Sequence, residues 1–112
     1  MTKFLILYNS LTSASEQMAS ATPEEMQASM AEWIAWKDEV SQKVGFEFGM
    51  PLQAVAKLTN SGVGESSSFI SGYSIMEGDS KELVEDLLKS HPHLKRDGAS
   101  IELLEMLPMP GM

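Results

Sequence analysis

The chain reads as an α+β domain with the element order β-α-β-β-α-β, and three stretches carry that reading. Phe4, Ile6 and Tyr8 alternate with Leu5 and Leu7 in an opening strand, Lys3 to Asn9. Thr22 to Val44 has the marks of an amphipathic helix. Phe69 to Leu94 combines an alternating strand, a capped helix and a proline-stopped exit. Four antiparallel strands with two helices on one face satisfy this order, the ferredoxin-like arrangement.

Each element has a local reason. The first strand is apolar on both faces, so both faces need a cover. Residues 10–21 are small and polar and read as a loop. Thr22 then fits an N-cap, Pro23 the first helical position and Glu25 the closing residue of a capping box. Met26, Met30, Trp33, Val40 and Val44 form a stripe at helical steps, with Lys37 filling a gap in it, and Gly45 marks the end. Phe46 to Leu52 contains Gly49 and Pro51 and reads as a turn-rich approach to a second strand, Leu52 to Leu58. Asn60 to Ser67 reads as a hairpin loop. The third strand, Phe69 to Met76, stops at Gly78. Asp79 fits a helix N-cap with Glu82 three residues on, and Leu83, Val84, Leu87, Leu88 and His91 share one helical face until Pro92. Ser100 to Leu107 is the last strand, with Ile101, Leu103 and Leu107 on one face and Leu104 and Met106 on the other.

Composition narrows the function classes. At 112 residues the chain is a single domain, expected to span 1–107 with an extended tail over 108–112. A net charge of −8, with no basic cluster beyond Lys95-Arg96, argues against nucleic acid or an anionic membrane as partner. The absence of cysteine removes disulfides, thiolate nucleophiles and cysteine-held metals. The apolar run Phe4 to Tyr8 is too short for a signal segment or a membrane span, so a cytoplasmic protein is expected. Pro108 and Pro110 keep the tail extended, and its methionines are expected to pack on the body or on a partner subunit.

Few residues offer chemistry. His91 and His93 flank Pro92; they could share a metal, but no third ligand is fixed near them, and none is expected. His91 is the candidate acid/base, poised to exchange protons near neutral pH; its plainer role is a helix-end contact. Trp33 reads as core, and Trp36, at the stripe's edge, as a groove or contact residue. Lys37 reads as a snorkelling lysine or an anion-binding amine. Tyr8 and Tyr73 are either core residues with a polar tip or pocket residues, and His93 joins them as a ligand-binding candidate. Gly62-Val-Gly64 lacks the lysine and the helix of a phosphate cradle. No cofactor is expected.

The opening strand Lys3 to Tyr8, Gly49-Met-Pro-Leu52, Gly72-Tyr73, His91-Pro92 and Ser100-Ile-Glu102 together resemble the YCII-related proteins, small bacterial domains of the dimeric α/β-barrel class. The resemblance implies a homodimer with the ferredoxin-like topology. Two departures stand out. Lyase-like members of that family place a histidine, paired with an aspartate, shortly after the first strand, whereas here no histidine lies between Lys3 and Leu88. Another branch carries Asp-Gly-Pro-Phe before the third strand, where this chain has Gly64-Glu-Ser-Ser-Ser-Phe69. Two functions remain open at this level. One is a non-catalytic accessory or regulatory module. The other is a small-molecule binder or enzyme with a pocket between sheet and helices near Tyr8, Trp36, Tyr73 and His91.

Overall fold

Apolar alternation and capping chemistry decide most of what the computed structural model contains; it describes residues 1–111. Six strands are β1 (Thr2–Asn9), β2 (Gly45–Pro51), β3 (Lys57–Thr59), β4 (Gly62–Gly64), β5 (Ile70–Gly78) and β6 (Ser100–Glu105). Three helices are α1 (Ala14–Ser20), α2 (Pro23–Val40) and α3 (Lys81–Leu88), and a 3-10 turn covers Pro92–Lys95. β2, β5, β1 and β6 form one antiparallel sheet in that order, and β3 and β4 form a separate ribbon. With α1 and the ribbon set aside, the order is β-α-β-β-α-β.

Register divides the sheet into two faces. Phe4 pairs with Met76, Ile6 with Ser74 and Leu103, and Tyr8 with Gly72 and Ile101. These share the inner face with Phe46 and Phe48. Against them pack Trp36 and Val40 of α2, Val44, and Val84 and Leu88 of α3, so both helices lie on that side. The core is small, and Ile6, Met76 and Val84 are fully sealed. The outer face carries Leu5, Leu7, Tyr73 and Ile75, which are half-buried and outside the core, with Leu104 exposed beside them. Gly49 belongs to this face: a Cβ there would overlap the Tyr73 ring, so only glycine lets Tyr73 lie across β2.

Several expectations need correcting. Residues 10–21 hold a helix, α1, because Ser13 caps it by accepting from the Glu16 N–H and Gln17 Nε2 reaches back to the Thr12 carbonyl. The Thr22 capping box is present in full, but α2 ends at Val40 rather than near Gly45. Its buried face is Trp36 and Val40, continued by Val44 at a spacing of four, while Met26 and Met30 are exposed. Phe46 and Phe48 belong to β2 itself. As an edge strand β2 tolerates Pro51, which needs no ladder N–H there, and a register shift between Phe48 and Pro51 absorbs the glycine. No strand spans residues 52–58; Leu52 makes one backbone bond, to Ser71 of β5, and only Lys57 and Leu58 of that range belong to a strand, in the ribbon. Ser80, not Asp79, caps α3, its hydroxyl accepting from the Leu83 N–H. β6 ends at Glu105, and the Met106 N–H extends its pairing to the Lys3 carbonyl at 2.9 Å. Leu107 and Met109 are exposed rather than packed on the body, and Met112 lies outside the described residues.

Candidate functional site

α3 stops at Leu88, and the chain turns inward through His91, whose N–H donates to the Leu88 carbonyl at 3.0 Å. Pro92 then starts the 3-10 turn at the position where a missing N–H costs nothing. His91 is its N-cap: Nδ1 accepts from the His93 N–H at 3.0 Å. An imidazole does here what a serine or aspartate does at an ordinary cap. That bond assigns the proton of the neutral ring to Nε2.

The ring sits in a cage. Its centroid is 4.3 Å from that of Trp36, 4.5 Å from that of Trp33 at 88°, and 5.0 Å from that of Tyr8. Only 1% of His91 is exposed. Nε2 has no hydrogen-bond partner, the one such buried side-chain atom among the described residues. Three aromatic rings surround the imidazole. Burial, with His93 close by, pushes the His91 pKa down to about 3. Taking a charge out of water without a counter-ion disfavours the imidazolium.

The neighbours follow the same logic. The Tyr8 hydroxyl bonds the Ser74 hydroxyl at 2.8 Å inside the core. Burial pushes the Tyr8 pKa up to about 12, partly offset by Ser74. His93 bonds the Asn9 carbonyl through Nε2 at 3.0 Å. Its pKa is lowered by burial first, with Arg96 nearby adding to the shift and the Asn9 and Ser100 backbones opposing it. Trp36 Nε1 donates to the Ser90 hydroxyl at 3.2 Å, and Ser90 donates to the Leu87 carbonyl. Lys95 bridges to Glu32 at 2.7 Å, tying the 3-10 turn to α2 at the surface.

The fold therefore brings Tyr8, Trp36, His91 and His93 together, and adds Trp33 and Ser74. Lys37 stands beside the group, its ammonium 5.4 Å from the centre of the Phe48 ring, a cation–π contact. Tyr73 is on the opposite face of the sheet and takes no part. Trp36, expected at an edge, is buried, and Trp33 is half-buried. The expected helix-end charge at His91 is also corrected: with its pKa near 3, the ring is neutral and acts as a cap. The usable signal in the sequence was Pro92 alone, since a proline suits the first helical position, whereas histidine is not among the usual cap residues. Ser74 gave none, because a serine on a strand does not reveal its partner.

Two open hollows lie elsewhere, around the C-terminal end of β1. One, of about 400 Å³, is lined by Asn9, Ser10, Ser67, Ser68, Phe69 and Glu102 among others. The second, of about 380 Å³, shares Ser10 and Leu11 and adds Gln17, Arg96 and Asp97. Asn9 Nδ2 donates to Glu102 at 2.9 Å across the first. Among the described residues, no group of three or more His, Asp or Glu is placed to hold a metal ion, and no helix is long and apolar enough to cross a membrane. No family model matches the chain, and no curated protein matches it.

Proposed function

We propose that this chain is a non-catalytic accessory or regulatory module that works as a homodimer, with the two sheets face to face in a dimeric α/β barrel of the YCII-related kind. The observation that carries this is the outer sheet face. Leu5, Leu7, Tyr73, Ile75 and Leu104 form one apolar surface that neither long helix covers. A ferredoxin-like layout leaves one sheet face bare, and a second copy is the cover that the order β-α-β-β-α-β lacks. The non-catalytic half of the reading is supported by His91, the one acid/base candidate, which is sealed in the core and neutral at working pH.

Light scattering at micromolar concentration tests the dimer: twice the chain mass of 12.3 kDa is expected, and a clean monomer overturns it. Small-molecule binding is the second reading, and the hollow at Asn9, Ser10 and Glu102 is the observation in its favour. Its volume is within the range of ligand sites. Ligand-observed NMR against a fragment library, with Glu102→Gln as the control, separates the two readings. Hits lost in the variant support binding, and no hits support the module.

A further inference from the structure

β3 and β4 make a ribbon that touches little else. Every residue from Gln53 to Glu65 is exposed. Leu58 and Val63 are cross-strand partners, so they share one ribbon face, and they are 73% and 75% exposed. A cross-strand pair of this kind is the unit that stabilises a sheet, yet a lone two-stranded hairpin is marginal in water. The radius of gyration, 15.7 Å, exceeds the roughly 13 Å of a compact chain of this length, and the ribbon and the exposed tail after β6 both add to it.

Three observations say what should cover the ribbon. First, it springs from the edge strand of the sheet whose outer face is the proposed dimer surface. It leaves the end of β2 just after the Leu52 N–H bonds the Ser71 carbonyl at 2.9 Å, at the margin of the sheet. Second, the sheet face alone is small for an interface. Four strands about 4.8 Å apart and 6 to 9 residues long cover on the order of 500 Å² in projection. A stable complex takes about 800 Å² per partner. Third, charge permits it. In a chain of net charge −8, residues 53–64 carry no carboxylate and a single Lys57. This segment can meet another copy without adding like-charge repulsion.

We infer that the ribbon Lys57–Gly64 is an arm that grips a second copy of this chain, laying Leu58 and Val63 against the partner beside its apolar sheet face. The inference rests on the homodimer reading and extends it: the partner contributes a residue pair that the body does not have. In a two-fold dimer each arm counts twice, so the loss of the pair weakens association doubly.

Sedimentation equilibrium of the full chain and of the Leu58→Asp/Val63→Asp variant tests it. The variant is expected to dissociate at a concentration at least about tenfold higher, with the far-UV spectrum of the body unchanged, since the arm touches little of it. A benzophenone amino acid in place of Leu58 is expected to give, on illumination, a covalent product of twice the 12.3 kDa chain mass. A wild-type dimer whose dissociation constant is the same in the variant overturns the arm and leaves the dimer standing. A wild-type monomer at the highest concentration reached overturns both.

Discussion

Acidification should destabilise this protein through His91, whose pKa burial holds far below that of a free imidazole. In the folded chain the ring has a pKa near 3, against 6.5 in an unfolded chain. Above pH 6.5 both states hold a neutral ring, and the histidine contributes no pH dependence. As the pH falls below 6.5, the unfolded chain takes up a proton that the folded chain refuses. Stability then drops by about 1.4 kcal/mol per pH unit until the folded pKa is reached. Between about pH 7.5 and pH 5 the loss is about 2 kcal/mol, a large share of the 5–15 kcal/mol typical of a domain. His93 is shifted in the same direction by burial and adds to the trend. The assay is urea unfolding at the two pH values, at fixed protein concentration because association would shift the midpoint. His91→Gln keeps an acceptor for the His93 N–H but cannot titrate. That variant should be less stable at pH 7.5 and should lose about 2 kcal/mol less than wild type on going to pH 5. If wild type and His91→Gln show the same pH dependence, the sealed neutral ring is wrong.

Further expectations concern the core and the caps. Tyr8→Phe should cost about 1–3 kcal/mol by stranding the Ser74 hydroxyl, and adding Ser74→Ala should recover part of it; a double-mutant cycle in urea measures this. Met76→Ala, at a fully buried site, should cost about 2–5 kcal/mol, read from the denaturation midpoint. Thr22→Ala removes the hydroxyl that accepts from the Glu25 N–H, the side-chain half of the α2 capping box, and should cost about 0.5–2 kcal/mol by the same measurement.

Where sequence and structure agree, short-range chemistry decides the outcome. Thr22, Pro23 and Glu25 are sufficient for the start of α2, and the alternation of Phe4, Ile6 and Tyr8 for β1. Where they part, the deciding partner is distant in the chain. Phe46 and Phe48 alternate like a strand, but Gly49 and Pro51 argue for a turn, and only pairing with β5 along an edge resolves it. Met26 and Met30 hold helical spacing with Trp33, yet burial along α2 begins only at Trp33. Periodicity gives the face of a helix and not how far the sheet reaches beneath it. Asp79 and Ser80 are both capping residues one position apart, a distinction that lies within the error of reading a boundary. In the candidate site, His91 and His93 were legible as a pair around Pro92. Their burial was not, because it depends on Tyr8 from the other end of the chain closing over them.

The position of β1 has a consequence during synthesis. It is an inner strand, yet both of its neighbours come late: β5 begins at Ile70 and β6 at Ser100. At about 5–20 residues per second, the roughly 60 residues between Asn9 and Ile70 take about 3–12 s to polymerise. Throughout that interval Phe4-Leu-Ile-Leu-Tyr8, uncharged and rich in strand formers, has no strand to pair with. The nascent chain is therefore exposed to self-association at this segment until β5 is made.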